Sequence, residues 1–328
     1  MGRRLRPLYA QVSQRLRMVR NAAYDAKRFM RWSFTVRKPL TQEQLQASMV
    51  MTYHSLEKGL AFSTPRAGFG KTKADELIKI LDEYAERFST DRYFIISCNV
   101  LRAYNEFNEA RDQAYPASVN AVDRYTKLLV DKSEDISDGG TKQLQRTEIA
   151  SATDFDFGAF ALSRYSVRHF ADKEIGREEI EQAIRWAQKT PSVCNRQSCR
   201  VHVFHDEASR TLALSHQNGN RGFGHESRAV MIVTSDLQHF HNPSERFQCW
   251  IDGGMFAMSL IYALHALNLG SCALNWSATC DRDVKLRSAV GIPDSEVVIM
   301  MIAVGHLPET FSVAQSPRKQ LHEVVRWH

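Results

Sequence analysis

The sequence predicts an α+β fold in which a mainly α-helical amino-terminal domain, residues 1–145, precedes residues 146–328, a sheet covered by helices. Up to about residue 130, apolar residues recur only at the helical spacings of three and four. Beyond residue 150, helical stretches alternate with short apolar, β-branched runs typical of buried strands. Between the two parts lies Ser133–Gly140, a polar segment ending in two glycines, which we interpret as a linker.

The helical domain is predicted to begin with a basic amphipathic helix. One apolar stripe runs along it, formed by Val12, Leu16, Val19, Ala23, Ala26 and Met30. A second stripe from Leu77 to Phe88 predicts another helix. The stretch Asp91–Val130 also has helical character, with an interruption near Pro116.

The second half is predicted to alternate helices and strands. The strands are expected at Val201–Phe204, Val230–Thr234 and Val297–Val304, and the helices at Ile180–Ala187 and Ile251–Leu269. The most apolar segment, Met255–Leu274, has His265 and Asn268 in its middle. We therefore interpret it as a buried core helix and expect no transmembrane segment.

Charge and cysteine content narrow the class of protein. The formal net charge of +6 comes from residues 1–40, which hold 11 Lys or Arg and one acid, Asp25, so that the remainder sums to −4. The basic character is thus confined to an arm and does not indicate specific nucleic-acid binding. The 6 cysteines form no C-x-x-C pair, and no apolar run typical of a signal peptide follows the basic amino terminus. A reduced, cytoplasmic protein is the simplest interpretation.

Two segments carry residues suited to ligand binding. Arg164, Ser166 and Arg168 stand at alternate positions, where two guanidinium groups and a hydroxyl can converge on an anion such as a phosphate. Thr190–Gln197 follows a predicted helix as a loop, whose amides could contact the edge of a heterocycle. Taken alone, the first segment is explained as well by a solvated basic turn, and the second by an ordinary connection.

Two further segments make the pattern more specific. Ile251–Trp276 contains an Asp-Gly-Gly sequence and ends in Ala-Leu-Asn-Trp, and Ala303–Lys319 ends in a basic pair. In this order the four segments resemble the flavin-dependent nitroreductase family, over Phe160–Trp327. The resemblance implies a mixed or antiparallel sheet flanked by helices, FMN as cofactor, NAD(P)H as co-substrate and a homodimer.

The resemblance also assigns residues to the phosphate end of the cofactor. Arg164 and Ser166 would hold the ribityl phosphate, and Arg168 would lie at the phosphate or at the pyrimidine edge. Arg318 and Lys319 match the basic pair that completes the family's phosphate site.

For the flavin ring, the family's loop matches Pro191, Ser192, Asn195 and Gln197, and that loop often reaches the flavin of the other subunit. Ala273–Trp276 matches the segment opposite flavin N5 and O4, which acts mainly through backbone N–H groups. The full expected set of cofactor-binding residues is Arg164, Tyr165, Ser166, Arg168, Pro191, Ser192, Val193, Asn195, Gln197, Leu274, Asn275, Trp276, Arg318 and Lys319.

The activity that the resemblance implies is a two-step reaction in which NAD(P)H reduces FMN and reduced FMN reduces an organic acceptor, nitro- or quinone-like. Because FMN carries the electron chemistry, no side chain is assigned a catalytic role. Two alternatives remain: a flavin-dependent dehydrogenase of a biosynthetic intermediate, and a non-catalytic dimeric scaffold with the basic arm as its interaction module. The retained arginines and Ser166 favour an enzyme over the scaffold.

Two other features have a structural interpretation. Tyr53–Leu60 contains His54, Glu57 and Lys58 near one helical face, but we expect an ordinary helix that ends at Gly59 as its C-cap, followed by a glycine-rich turn. The basic arm could meet an anionic partner; a helix docked on its own domain or on the dimer partner is the favoured interpretation.

Cysteine and histidine side chains outside the motifs suggest no further chemistry. Cys194 is interpreted as a spectator thiol, with Arg196 as the one neighbour that could lower its pKa. The spacing of His225, His239 and His241 matches no zinc pattern, so we expect solvated loop histidines and no metal site.

Overall fold

The computed structural model describes residues 2–34, 38–129 and 136–328, with only the backbone given for residues 2–11. The helices are α1 Gly2–Trp32, α2 Gln42–Leu60, α3 Lys71–Arg87, α4 Arg92–Glu109, α5 Pro116–Leu128, α6 Arg146–Ala152, α7 Phe157–Ser163, α8 Arg177–Ala187, α9 Glu207–Ser215, α10 Gln248–Ala266, α11 Cys280–Val290 and α12 Leu321–Val324. The strands are β1 Cys199–Phe204, β2 Ala229–Asp236, β3 Leu269–Asn275 and β4 Glu296–His306. Among the described residues, no helix combines the length and the apolar character needed to cross a bilayer.

Helices α2 to α5 form the expected helical part around one apolar core. Local signals set their starts: Thr41 and Gln44 form a capping box on α2, Asp91 caps α4, and Pro116 opens α5. The core between these helices includes Leu45, Met49, Leu56, Leu77, Leu81, Tyr84, Phe94, Leu101, Tyr104 and Tyr125. The predicted helical character and the break near Pro116 are confirmed.

The polar segment that we interpreted as a linker is packed where it is described. Asn99 Nδ2 donates to the carbonyl oxygens of Ile136, at 2.8 Å, and of Asp138, at 2.9 Å. Gly139 has φ +113°, and a Cβ there would lie 3.0 Å from the Ile96 carbonyl oxygen. Residues 136–140 therefore lie closely against α4, whereas residues 133–135 lie outside the described part of the chain. The boundary between residues 145 and 146 stays a prediction.

The second half contains a four-stranded antiparallel sheet in the order β1-β2-β4-β3. The central strand β2 is buried along its whole length, as its continuous apolar run predicts. Helices α8 and α10 pack on one face, and α9 and α11 contribute to the core on the other. The α+β prediction and the three predicted strands are confirmed.

One helix is shorter than its apolar pattern predicts. Helix α10 ends at Ala266, and Asn268 follows with φ +57°, in the left-handed region that commonly ends helices. The chain then continues as β3 from Leu269 to Asn275. The expected core helix over Met255–Leu274 is thus wrong for residues 267–274, because an apolar run does not by itself separate a buried helix from a buried strand.

Gly59 does not end its helix. It lies inside α2, whose C-cap is Ala61, and a Cβ at Gly59 would lie 2.1 Å from the Phe69 ring. Only glycine leaves room for this ring, which explains the residue type. The predicted C-cap is wrong because the helix continues past Gly59. The turn that we expected after it is confirmed, and Gly68 and Gly70 adopt positive φ there.

The carboxy-terminal end of α1 docks on the second half of the chain, as we favoured. Arg28 is buried and donates to the Asp283 carboxylate, at 3.4 Å, and to the Glu296 carbonyl oxygen, at 2.5 Å. Tyr24 donates to Asp283 at 2.6 Å, and Phe29 joins an apolar cluster with Phe240. Polar groups make most of this contact, so the apolar stripe is not the docked face.

Candidate functional site

The segment with the expected phosphate anchors lies along the outer edge of β3. The Val167 N–H donates to the Ser271 carbonyl oxygen at 2.9 Å, and Ser166 forms a parallel bridge with Ser271. Because the segment is extended, Arg164, Ser166 and Arg168 project on one side and the buried Val167 projects on the other.

Two glycines allow this segment to approach the sheet. A Cβ at Gly270 would lie 3.2 Å from the Cβ of Val167, and a Cβ at Gly305 would lie 2.6 Å from the Phe170 ring. Real Cβ atoms rarely come so close to a neighbour. Gly270 and Gly305 thus leave room for the first segment against the sheet.

Arg164 borders a small cavity at the carboxy-terminal end of α10. The cavity measures about 40 Å³ and is lined by Arg164, Tyr165, His265 and Phe311 among others. His265 Nε2 lies 2.9 Å from Ser163 Oγ and 3.1 Å from the Phe160 carbonyl oxygen. Burial, with a smaller effect from Arg164, lowers the pKa of His265. Because the His265 imidazole is neutral, Arg164 provides the positive charge in the lining of this cavity.

The expected basic pair, Arg318 and Lys319, is exposed in the extended tail after β4. Arg318 donates to the Ser316 carbonyl oxygen at 2.5 Å. Among the described residues, it forms no hydrogen bond or ion pair with Arg164. No described carboxylate pairs with Arg164, Arg168, Arg318 or Lys319. These cations are therefore available to an anionic ligand.

The loop Thr190–Gln197 has an unusual backbone. Cys194, Asn195 and Gln197 have φ values of +49°, +55° and +51°, a region that residues other than glycine seldom adopt. The Ser192 hydroxyl accepts the Gln197 N–H at 3.0 Å, and the Asp252 carboxylate accepts the Val193 N–H at 3.1 Å. Such strain is maintained only where surrounding contacts fix the conformation, and it concentrates at functional sites.

Arg196 supplies the main fixing contact, a role that the sequence did not reveal. Its side chain is only 1% exposed and donates to both carboxylate oxygens of Glu245, at 2.6 and 3.1 Å. Burial acts to raise the pKa of Glu245, but bonds from Arg196 and from the His241 N–H hold it below its usual range. Arg196 is thus committed to this pair, and the spectator role of Cys194 stays a prediction. Pro191, Asn195 and Gln197 remain exposed at the surface.

The expected flavin-edge segment, Leu274–Trp276, lies at the end of β3. Leu274 is buried, whereas Trp276 Nε1 donates to Asp283 at 2.9 Å, which ties the indole to α11. A cavity of about 240 Å³ beside it is lined by Asn275 and Trp276, with Gln217 and Arg282 on other walls. Arg282 is a cation near this segment that no sequence motif indicated.

The loop and the anchors lie near opposite ends of α10. Asp252 holds the loop near the start of the helix, and His265 contacts the anchor segment near its end. Thirteen residues of helix separate these two positions by about 20 Å. The helix positions that contact the loop and the anchor segment are therefore far apart in one chain.

The second half of the chain is similar to known proteins. Residues 161–217 and 208–306 match the model of the Nitroreductase family. These residues support the resemblance to that family that the sequence predicted, and we refer to the second half of the chain as the nitroreductase domain. A curated relative of this nitroreductase domain, "Putative NADH dehydrogenase/NAD(P)H nitroreductase" of Archaeoglobus fulgidus, is 26% identical over 148 residues, which are 44% of this chain and 81% of the relative.

Solved structures also match the nitroreductase domain. A nitroreductase family protein from Streptococcus pneumoniae is 19% identical and covers 53% of this chain and 100% of its own, with a TM-score of 0.46. A "putative nitroreductase in complex with FMN" from Desulfovibrio desulfuricans is 21% identical and covers 54% of this chain and 98% of its own, with a TM-score of 0.47.

A larger cavity lies where the helical part meets the nitroreductase domain. It measures about 290 Å³ and is lined by Tyr93 of α4, by Ser192 and Gln197 of the loop, and by Arg200 and Phe256 among others. Arg200 donates to the carbonyl oxygens of Gln197 and Cys199, each at 3.1 Å. The helical part thus forms one wall beside the loop. Arg200 stands in a strand outside every motif, which is why the sequence did not single it out.

The histidines of the nitroreductase domain differ from one another. His225 is exposed, as expected, but His239 is only 3% exposed, so its interpretation as a solvated histidine is wrong. Its Nδ1 donates to the Arg196 carbonyl oxygen at 2.8 Å, and its Nε2 accepts from Arg200 at 3.1 Å. Although ligand atoms of His239, Glu43 and Asp236 lie within 4.8 Å of one another, the guanidinium of Arg200 already supplies the positive charge there. His239 therefore supports the loop.

Proposed function

We propose that this chain is an FMN-dependent oxidoreductase that uses NAD(P)H to reduce an organic acceptor, nitro- or quinone-like. The match of residues 161–217 and 208–306 to the Nitroreductase family model supports an oxidoreductase. The main support for FMN as the cofactor is the extended segment on β3, which projects Arg164, Ser166 and Arg168 on one side. No described carboxylate pairs with either arginine. Guanidinium groups free of acidic partners, next to a hydroxyl, fit a terminal phosphate.

Bound FMN would supply the electron transfer between NAD(P)H and the acceptor. The chain's own residues would bind and orient it. Arg164 and Ser166 would hold the phosphate, with Arg318 and Lys319 brought in from the tail. Arg168, near the Phe223 ring, would stabilise negative charge on the pyrimidine, because fixed positive charge favours a developing anion. The backbone of Leu274–Trp276 would face the reactive edge of the ring.

We infer a homodimer because the α10 residues that contact the loop and the anchors, Asp252 and His265, lie about 20 Å apart along the helix in one chain. A second copy could place Asn195 and Gln197 of its loop at the anchors of the first. An exposed apolar face along α10 supports such an interface; it contains Phe247, Trp250, Ile251, Met255 and Met258. Large exposed apolar patches commonly mark protein interfaces.

We also propose a cytoplasmic location for the protein and an anionic partner for its basic arm. All six cysteines are free thiols, which supports a reducing, cytoplasmic environment. The side chains of Arg15, Arg17, Arg20, Lys27 and Arg31 are exposed on α1, which supports an anionic partner.

The cofactor can be tested on purified protein. Absorbance of the protein and chromatography of the released ligand should identify FMN, and anaerobic addition of NADH or NADPH should bleach it. Recovery of FAD, or no binding of added FMN, would contradict the proposal and favour the scaffold. Reduction by a biosynthetic intermediate but by neither nicotinamide would favour the dehydrogenase alternative.

A further inference from the structure

Helix α1 has two opposite faces, and only one of them is docked. Asn21, Tyr24 and Arg28 contact the nitroreductase domain; the Asn21 side chain accepts the Cys280 N–H at 3.1 Å. At about 100° per residue, the apolar stripe from Val12 to Met30 is centred roughly 160° from this docked face. Docking therefore turns the stripe away from the protein.

The free face is apolar and exposed along its length. Leu16 is 65% exposed and Val19 is 66% exposed. Val12, Ala23, Ala26 and Met30 are exposed as well. No described element covers this row, although apolar side chains in a soluble helix ordinarily face a core.

Basic side chains border the stripe on both sides. On the helix surface Arg15 lies on one flank, and Arg20 and Lys27 lie on the other. Arg20 forms an exposed ion pair with Asp281 at 2.5 Å, whereas no described carboxylate pairs with Arg15 or Lys27. An apolar row between cations is the arrangement of helices that lie in the surface of an acidic membrane.

We propose that the free face of α1 binds an acidic lipid surface, with the helix parallel to the bilayer. The stripe would enter the boundary of the acyl chains, and the flanking cations would contact lipid phosphates. A second copy of the helix is a poorer occupant, because pairing two stripes would bring their cations together with Asp25 as the one acid of this arm. The docked face would hold the nitroreductase domain on the side away from the lipid.

Co-sedimentation of full-length, flavin-loaded protein with vesicles tests this proposal. We expect binding to phosphatidylcholine vesicles that contain about a third phosphatidylglycerol, weaker binding at higher salt, and little binding to phosphatidylcholine alone. The double variant L16Q/V19Q should lower the partition coefficient about tenfold, because it removes two apolar contacts with lipid.

Met18→Gln is the matched control. Met18 is 75% exposed, more than Leu16, but it lies to the side of the stripe, so its replacement should leave binding unchanged. Circular dichroism and flavin content should be the same in all variants.

Three outcomes would overturn the proposal. Intact protein that stays in the supernatant with acidic vesicles at low salt shows that lipid is not the occupant. Binding of L16Q/V19Q equal to that of the intact protein shows that the stripe does not enter the bilayer. A stripe variant that changes the molar mass measured by light scattering, without vesicles, identifies a second copy as the occupant.

Discussion

The loop and the anchor segment, the two parts of the expected flavin site, are built in different ways. Thr190–Gln197 is fixed by the buried Arg196–Glu245 pair and by Asp252. The anchor segment rests on the edge of β3 through backbone contacts, and its Arg168 is exposed. The loop is fixed by buried side-chain pairs, whereas the anchor segment is fixed mainly through its backbone. Substitutions of the residues that fix the loop should therefore act on stability, and those of the anchor side chains on affinity.

The largest effect should follow Glu245→Ala. It leaves the buried Arg196 guanidinium without its partner, which typically lowers the free energy of unfolding by about 3–5 kcal/mol. Urea unfolding measures the change. The control is Glu181→Ala, which breaks the exposed Arg177–Glu181 pair on α8 and should leave the free energy of unfolding nearly unchanged, because water screens such a pair. A Glu245 variant as stable as the control would contradict the role of the pair.

The same pair predicts a pH dependence. Because the pKa of Glu245 is lowered in the folded protein, its contribution to stability is complete above the ordinary glutamate value of 4.5 and is lost as the pH falls toward the folded pKa. The free energy of unfolding should therefore decline below pH 4.5 less steeply in Glu245→Ala than in the unmodified protein. Parallel declines would show that Glu245 does not carry this dependence.

Arg164→Ala should lower FMN affinity without unfolding the protein. A charge-assisted bond to phosphate contributes about 1.5–3 kcal/mol, which corresponds to roughly one to two orders of magnitude in Kd. Fluorescence titration of the apoprotein measures it, with Arg177→Ala as the exposed control. If neither Arg164→Ala nor Arg318→Ala changes the Kd, the phosphate site lies elsewhere.

Gly305→Ala tests whether the sheet positions the anchors. Its new Cβ would lie 2.6 Å from the Phe170 ring, and overpacking of this kind costs about 1–3 kcal/mol of stability. The displaced ring should also weaken FMN binding, because Phe170 follows Arg168 closely in the chain. Gly254→Ala is the control for stability: no side chain of the described residues lies within 4 Å of a Cβ built there, and alanine in a helix should stabilise by up to about 1 kcal/mol. Equal effects of the two variants would contradict this positioning.

The smallest effect should follow Cys194→Ser, which keeps the side-chain size. We expect less than about a twofold change in FMN affinity or in the rate of bleaching by NADH, since a spectator thiol takes no part in either. Cys194→Val should be worse, because a branched residue fits the φ of +49° poorly. A large loss of bleaching in the serine variant would give the thiol a role.

Much of this architecture could be predicted from local patterns. The strand residues Val230–Thr234 and the helices around Pro116 follow from composition and spacing, which act over short distances. The partners of Arg196 and His239 could not be predicted, because Glu245 lies 49 residues from Arg196 in the sequence. The docked face of α1 escaped prediction for a similar reason. Apolar periodicity identifies an apolar stripe, but α1 docks through Tyr24 and Arg28.

The site residues themselves remain predictions, but the structure adds how the two groups of residues are separated along α10. The family resemblance assigns Arg164 and Asn195 to one ligand, and no pattern in the sequence reports how far apart they lie in a single chain. The intervening α10 supplies that distance. We therefore propose that the site is formed by the anchor segment of one chain and the loop of a second copy.

The pairing of Ser166 and Val167 with β3 also affects solubility. A strand at the edge of a sheet presents unpaired N–H and C=O groups that can recruit strands of other chains, and β3 is such a strand. The anchor segment covers part of this edge through the Val167–Ser271 hydrogen bond. A ligand that orders the segment would also keep the edge closed, so the flavin-free protein should aggregate faster than the loaded protein in storage.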